Sequence, residues 1–216
     1  MKVAIIPGAF FPDPGGAQVQ AHNLANIFNK KKIKTDLILL NKTNLEKKNY
    51  KIFYLNKFLI NIVYIFKYYI NIDISFLLKA YFKKIIIKNN YKVWHFIFLN
   101  YKSLLIINLI KKLDQKIIVT FQGADIQIKK DIQYGNRLDK KYDILLKRTI
   151  NNIDKFTSIS KNIRDDLLKL KIKEKRIMMI PNGIYLNKFL NNKKKSKKND
   201  KSIKLITVAR YAIKKK

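Results

Sequence analysis

Two adjacent glycines, Gly15-Gly16, are the first feature of the sequence that could do chemistry. The apolar run at residues 3–6 is typical of a short buried strand, and helical spacing follows the glycines at residues 21–28. A strand, a glycine-containing loop and a helix N-terminus offer backbone N–H groups to a phosphate, and glycines allow positive φ and close approach. The loop is neither GxGxxG nor a Walker A sequence, so a dinucleotide or ATP site is a poor fit. The pattern predicts a phosphate-binding loop, and the alternative is a structural turn without a ligand.

Polar residues also stand at the ends of three other predicted strands. They are His95, the turn Gln122-Gly123-Ala124-Asp125, and Asn182-Gly183. In a parallel α/β sheet the ligand lies outside the carboxyl ends of the strands, so we expect these points to converge on one edge with the glycine pair. Each has a structural alternative: a hydrogen-bonded, half-buried histidine, a cap at a helix start, and a turn between domains.

The elements that must position these residues alternate along the chain between strands and helices. Further strands are predicted at 34–40, 93–96, 117–121, 156–159 and 176–180, and helices at 101–113, 139–150 and 163–170, the last with Ser160 as its N-cap. This alternation predicts an α/β fold: a doubly wound, mostly parallel sheet of Rossmann-like type.

Three segments are predicted from the change in composition near the C-terminus. Residues 1–190 form the α/β domain, and the charged, low-complexity stretch 191–202 is a linker or exposed loop. Residues 203–216 contain a single strand, at 203–209, which cannot bury its own faces. We therefore interpret 203–216 as the start of a second domain.

Composition excludes several classes of site. The chain has 216 residues and no cysteine, so disulfides, thiolate metal sites and cysteine nucleophiles are excluded. Only His22 and His95 are available as histidine ligands, so no metal is expected. The N-terminus does not have the pattern of a signal peptide, and we expect a cytoplasmic protein.

The formal charge of +33 is nearly all lysine and is spread over most of the chain. Arginine, whose planar fork nucleic-acid interfaces favour, occurs only at positions 137, 148, 164, 176 and 210. No nucleic acid is therefore expected as a partner. Two explanations stay open: an A/T-rich coding sequence, which favours lysine, asparagine and isoleucine, or attraction to an anionic membrane surface.

Aromatic and aliphatic residues are concentrated at 52–87, interleaved with lysines. The longest uncharged run, Phe58 to Phe66, has nine residues, far fewer than the roughly 20 needed to cross a bilayer. One or two amphipathic helices are predicted, which either pack on the domain core or lie in a membrane interface.

Four motifs, in order, resemble family 4 glycosyltransferases of the GT-B fold, which are retaining enzymes that use nucleotide-sugar donors. The family has a proline-rich loop with paired glycines, a His-Gly-x-Asp turn, a Pro-Asn-Gly-(Val/Ile) segment followed by Phe, and an Arg with a Lys five or six residues later. The similar residues are Pro12 to Ala25, Gln122 to Asp125, Pro181 to Ile184 with Phe189, and Arg210 with Lys215 or Lys216.

The resemblance implies an N-terminal acceptor domain and a C-terminal donor domain with a cleft between them. It implies that Gly15 and Gly16 contact the donor diphosphate, that Arg210 and Lys215 neutralise it, and that Gln122 and Asp125 are the catalytic positions. His95 is expected on the acceptor side. The substrates would be a nucleotide sugar and a glycan or lipid-linked acceptor, with no metal and no further cofactor.

Two departures from the family pattern qualify this expectation. Gln122 replaces the family's histidine, and an amide can hydrogen-bond a sugar hydroxyl but cannot shuttle a proton. The sequence also stops before nearly all of the donor domain, which suggests a truncated or split transferase whose C-terminal domain is separately encoded.

The leading hypothesis is hexosyl transfer to a lipid-linked or cell-envelope glycan. The alternative is a catalytically inactive basic domain that binds anionic membranes or glycans.

Overall fold

A computed structural model describes residues 1–8, 15–43, 48–184 and 205–206. The chain divides into two compact units, residues 1–181 and 182–216. The first unit contains every strand and helix described below. The predicted linker at 191–202 lies outside the described residues, as do Phe189, Arg210, Lys215 and Lys216 and most of the predicted strand at 203–209. The three-segment division stays a prediction.

Seven parallel strands form one sheet in the first unit. Their order across the sheet is β3-β2-β1-β4-β5-β6-β7. The strands are β1 (Lys2–Pro7), β2 (Lys34–Leu39), β3 (Lys51–Tyr54), β4 (Val93–Ile97), β5 (Lys116–Phe121), β6 (Lys155–Ser158) and β7 (Ile177–Met179). All six neighbouring pairs are parallel, which confirms the α/β prediction.

Six α-helices connect these strands. They are α1 (Gly16–Lys30), α2 (Lys57–Ile65), α3 (Phe76–Asn89), α4 (Tyr101–Lys111), α5 (Lys140–Thr149) and α6 (Lys161–Lys169). A π-helical turn at Phe66–Ile70 extends α2. Side-chain oxygens cap α2, α4, α5 and α6 at their N-termini. The predicted cap on α6 is confirmed, because Ser160 Oγ accepts the Ile163 N–H at 3.4 Å.

The two faces of the sheet are covered unequally within the described residues. The smaller apolar cluster packs α1, through Ala21 and Ala25, on Ile5 and Leu37 of β1 and β2. The larger cluster joins the opposite face of the sheet to α2–α6 and contains the single tryptophan, Trp94, fully buried on β4. Helices on both faces make the sheet doubly wound.

The strand β3 is the one element that the sequence reading did not separate. It has four residues, lies at the edge of the sheet and pairs only with β2. Its residues belong to the same aromatic-rich stretch as α2, so composition did not distinguish a short strand from a helix. The predicted amphipathic helices at 52–87 are confirmed as α2 and α3, and no helix in the described ranges is long and apolar enough to span a membrane.

The order of the strands reverses between β1 and β4. The chain leaves β1 toward β2 and β3 on one side, and leaves β4 toward β5, β6 and β7 on the other. The crossover α1 lies on one face, whereas the crossover α4 lies on the opposite face. This reversal opens a crevice outside the carboxyl ends of β1 and β4, which is where α/β sheets bind ligands.

Candidate functional site

The glycine pair lies at the N-terminus of α1. Gly15 is the residue before the helix and has φ −167° and ψ 158°, an extended conformation, while Gly16 is the first helical residue. Neither glycine has a positive φ, so the left-handed conformation that glycine allows is not used at this pair. A Cβ added to Gly16 would meet no atom of the described residues within 4 Å. What the glycine provides at this position is therefore open space beside the backbone.

The N-terminus of α1 also lacks compensating groups among the described residues. No side chain caps it, and its first turn contains no acidic residue. The first N–H groups of a helix need partners and carry the positive end of the helix dipole. A 15-residue helix with an open first residue and no side-chain cap has the features of an anion-binding site.

Asp125 holds the turn that follows β5. Its carboxylate accepts the N–H of Gln122 at 3.0 Å and of Gly123 at 2.9 Å on one oxygen. The other oxygen accepts the N–H of Leu99, between β4 and α4, at 3.1 Å. The side chain is fully buried, and Gly123 has a φ of +126° that suits a glycine. One carboxylate thus ties the ends of two adjacent strands together.

Burial and hydrogen bonding act in opposite directions on this carboxylate. Burial raises the pKa of Asp125 to about 6, against the lowering effect of the backbone N–H donors. The hydroxyl of Tyr142, on α5, donates to the Asp125 carbonyl oxygen at 2.8 Å. These contacts give Asp125 a structural function at the sheet edge, and its assignment as a catalytic position stays a prediction. Gln122 is partly buried at the same turn.

The crevice between β1 and the start of α4 contains a small cavity of about 70 Å³. Gly8, Asn41, Asn100, Lys102 and Ser103 supply its polar lining. Asn100 caps α4 through its side-chain oxygen, and its amide nitrogen donates to the Gly8 carbonyl at 2.6 Å. Small-molecule sites are usually roughly 300–1,000 Å³. This cavity is smaller than such a site, and its polar lining suits hydroxyl or phosphate oxygens.

The residues that close this crevice are held in a constrained geometry. The N–H of Gly8 donates to Ile97 O at 2.8 Å, and a Cβ at Gly8 would lie 2.2 Å from the carbonyl oxygen of Phe98. Phe98 itself has φ 63°, which is rare for a bulky residue and costs about 1–3 kcal/mol. Backbone strain of this kind concentrates at functional sites.

His95 was expected at the end of its strand, and this expectation is wrong in position. The residue lies in the middle of β4, paired in register with Ile5 and Ile118. The ring Nε2 is 2.7 Å from Thr120 Oγ1 on the neighbouring strand, and burial lowers the pKa of His95 to about 4. At neutral pH it is an uncharged, hydrogen-bonded histidine, as its structural alternative predicted, and an acceptor-side function stays a prediction.

A group of tyrosines covers the starts of α4 and α5 at the same sheet edge. Tyr68, in the π-helical turn, donates its hydroxyl to Asp139 at 2.6 Å, and its ring packs on Tyr101 with centroids 4.9 Å apart. The Lys141 ammonium donates to the Tyr68 carbonyl at 2.6 Å and lies 4.8 Å from its ring. The hydrogen bond to Asp139 raises the pKa of Tyr68 to about 12. Sequence reasoning did not identify this group.

Local signals existed for some of the missed residues. Asn100 precedes a periodic helix and has the residue type of an N-cap, and Asp139 has the same relation to α5. Neither signal indicates that the two helix starts lie beside one crevice. Within the described ranges no group of three or more His, Asp or Glu side chains could hold a metal ion.

Comparison with known proteins adds the family to this geometry. The model of Glycosyltransferase Family 4 matches residues 14–188. The chain belongs to this family. The matched range contains the glycine pair, the β5 turn, His95 and all six helices. No curated protein sequence matches the chain.

Solved structures with the same fold support the architecture. HepE of Anabaena in complex with UDP-glucose has a TM-score of 0.56 at 14% identity, covering 87% of this chain and 45% of that chain. UDP-GlcNAc 2-epimerase from Methanocaldococcus jannaschii has a TM-score of 0.52 at 14% identity, covering 84% and 46%. A sucrose-phosphate synthase segment from Thermosynechococcus elongatus has a TM-score of 0.52 at 12% identity, and the match covers 93% of that chain.

These similarities show the fold, a Rossmann-like α/β unit of GT-B proteins. The chain spans less than half the length of HepE and of the epimerase. The family membership and the fold are thus established for one glycosyltransferase domain, and the reaction of a complete enzyme is a matter for proposal.

Proposed function

We propose that this glycosyltransferase domain is the acceptor-side half of a retaining enzyme. It transfers a hexose from a nucleotide sugar to a lipid-linked or cell-envelope glycan, on the cytoplasmic side of the membrane. The family match over residues 14–188 carries the proposal. The solved relatives in complex with UDP and UDP-glucose support a nucleotide sugar as the donor. No metal or other cofactor is part of the proposed reaction.

The proposed donor contact is the N-terminus of α1. As the sugar bond breaks, negative charge accumulates on the leaving diphosphate, and oriented N–H groups in a fixed site stabilise it. Gly16 supports this function because its Cα position is open and the helix has no side-chain cap. Arg210 and Lys215 match the family's Arg and Lys in sequence, and a diphosphate contact for them stays a prediction.

The proposed acceptor contacts lie at the β5 turn and along the crevice. Gln122 hydrogen-bonds a sugar hydroxyl, and Asp125 acts as a positioning residue, because its buried carboxylate fixes the backbone on both sides of Gln122. Asn100 and Lys102 line the cavity at the start of α4 and suit hydroxyl or phosphate oxygens. His95, uncharged at neutral pH, supports the sheet beneath the acceptor.

The test is formation of nucleoside diphosphate from UDP-hexose, with membrane-extracted lipid-linked glycans as acceptors. The full chain is assayed alone and with the C-terminal half of a family 4 enzyme supplied as a second polypeptide. Turnover that needs both chains and the acceptor is the expected result. Gly16→Trp should reduce that turnover at least tenfold, whereas Ile144→Trp, at an exposed position of α5, should leave it unchanged. Equal turnover of the two variants contradicts the loop assignment.

A second candidate, an inactive domain that binds glycans or membranes, is favoured by one observation. The family's histidine is Gln122 in this chain, which removes the proton-transfer group from the turn. Gln122→His separates the candidates. Turnover that appears only in this variant, with glycan binding already present in the parent chain, supports the inactive domain, and turnover in the parent contradicts it.

A further inference from the structure

An exposed apolar surface lies between α2 and α3, in residues 65–77. We call it the apolar tip. Tyr69 and Phe76 have 66% and 67% of their surface exposed, well beyond the isolated apolar residues expected on a soluble surface. The tip consists of Ile65, Tyr69, Ile70, Ile72, Phe76 and Leu77, all exposed.

The apolar tip is compact and structured. It begins at Ile65, the last residue of α2, and continues through the π-helical turn at Phe66–Ile70. The N–H of Ile72 donates to Phe66 O at 3.1 Å, and the tip ends in the first turn of α3. Asn71, at φ 62°, ends the helical turn in a left-handed conformation that asparagine tolerates. The exposed side chains are therefore presented by a defined backbone.

The helices on either side of the apolar tip carry almost entirely positive charge. Residues 57–90 contain six lysines and one acidic residue, Asp73, a net charge of +5. Asp73 is paired with Lys67 at 3.2 Å. The other lysines are exposed and have no ion pair with a described residue: Lys57, Lys79, Lys83, Lys84 and Lys88. Exposed apolar and aromatic side chains flanked by lysines are typical of elements that lie in the interface of an anionic bilayer.

The tyrosine group fixes the apolar tip to the edge of the sheet that carries the candidate site. Tyr69 packs on Tyr68 with ring centroids 4.8 Å apart, and Tyr68 contacts Tyr101 and Asp139 at the starts of α4 and α5. Lys102, which lines the cavity at the β1 edge, donates to Asn61 of α2 at 2.7 Å. The tip and the cavity are therefore linked through α2 and the start of α4.

We propose that the apolar tip is a docking surface for an anionic lipid bilayer. Its aliphatic and aromatic side chains enter the headgroup and acyl boundary, and the lysines of α2 and α3 contact lipid phosphates. Charge complementarity selects the occupant, because the lysines favour a dense negative surface, and the apolar residues are too short a segment to span it. Docking at this position would hold the cavity edge next to the membrane, so that a lipid-linked acceptor reaches it without leaving the bilayer.

The last step, presentation of the acceptor, rests on the proposed function, whereas docking itself does not. The experiment therefore measures vesicle binding without any sugar donor. The full chain is sedimented with vesicles of phosphatidylcholine alone or of phosphatidylcholine with about 30% phosphatidylglycerol, whose anionic headgroups attract lysines. Two double variants are compared: Ile70→Asp with Ile72→Asp in the tip, and Ile144→Asp with Met178→Asp as the control.

The control is matched in charge and exposure. Each variant adds two negative charges to the chain, and the four positions are all exposed, at 51% and 51% in the tip and 41% and 53% in the control. Pure charge attraction, including that of the lysine-rich C-terminal segment, would be weakened equally in both. Insertion of the tip predicts at least a tenfold lower partition coefficient for the tip variant than for the control variant on anionic vesicles.

Each outcome decides the proposal. Weak binding to neutral vesicles, strong binding to anionic ones and selective loss in the tip variant support it. Equal binding of the two variants overturns it, as does equal binding of the parent to both kinds of vesicle. Concentration-dependent self-association of the parent that the tip variant abolishes, with no vesicle binding, also overturns it and assigns the surface to a second protein copy. Failure of sugar transfer with vesicle binding intact would contradict only the proposed function.

Discussion

Replacement of Asp125 by alanine tests the view that one buried carboxylate joins the β4 and β5 edges. The change removes the acceptor for the N–H groups of Leu99, Gln122 and Gly123. A buried donor without a partner costs about 1–3 kcal/mol, so three donors cost roughly 6 kcal/mol in total. Alanine also removes a destabilising effect, the ionisation of a buried carboxylate.

The pH dependence of this cost follows from the raised pKa. The folded-state pKa of Asp125 is about 6 and its ordinary value is 3.8. The protonated form is therefore favoured by folding, and its contribution to stability is complete below pH 3.8 and lost as the pH rises through 6. A shift of two pKa units is about 3 kcal/mol. We expect Asp125→Ala to cost about 3 kcal/mol at pH 8 and about twice that at pH 4.

Urea unfolding followed by tryptophan fluorescence measures these costs. Trp94 is the only tryptophan and is fully buried on β4, so its fluorescence reports unfolding of the sheet. At pH 8 the expected loss lowers the melting temperature by about 6–12 °C for a unit of this size. Asp131→Ala, at an exposed position, is the control and should change the free energy of unfolding by less than about 0.5 kcal/mol. A cost below about 1 kcal/mol for Asp125→Ala, or one that shrinks in acid, would refute the reasoning.

Three further predictions use the same unfolding assay. Gly8→Ala places a Cβ 2.2 Å from a carbonyl oxygen and should lower the free energy of unfolding by about 1–3 kcal/mol. Gly16→Ala, in open space, should be neutral or stabilise by up to about 1 kcal/mol. Similar costs for both variants would contradict the geometry. Burial lowers the pKa of His95 to about 4, so the contribution of the neutral ring to stability is present above pH 6.5 and lost as the pH falls through 4. His95→Gln should therefore reduce the loss of unfolding free energy in acid by up to about 3 kcal/mol. An unchanged pH profile of the unfolding free energy would be the contrary result. Asp139→Ala removes the N-terminal cap of α5 and the acceptor of the Tyr68 hydroxyl, and should cost about 1–2 kcal/mol of stability. Ser160→Ala should cost less, because the serine side chain makes one hydrogen bond, 3.4 Å long.

Most of the fold could be predicted because its strands and helices have local signatures. Buried parallel strands such as β5 are continuous apolar runs, and α6 begins at a serine of the capping type. The edge strand β3 lacked such a signature, since a four-residue apolar segment beside an aromatic helix has no period of its own.

The candidate site was predictable only in part, because its geometry depends on contacts between distant residues. The turn at Gln122 to Asp125 could be placed at a strand end, but its tie to Leu99 depends on the neighbouring strand. His95 was expected at the edge because its strand was assigned one residue too short, and the structure pairs its ring with Thr120 across the sheet. Sequence spacing gives the order of such residues and leaves their partners undetermined.

The two glycines compared above show how a ligand requirement can be separated from a folding requirement. Gly8 is explained by the fold, because any side chain would collide with the Phe98 carbonyl. Gly16 has no such constraint, and alanine at the start of α1 would favour the helix by up to about 1 kcal/mol. A glycine that the described fold does not require, at a helix N-terminus without a side-chain cap, fits the proposed contact with an anion, which needs open space beside the backbone. Phosphate binding at Gly16 would therefore be lost on adding bulk there, while the free energy of unfolding stays the same or rises.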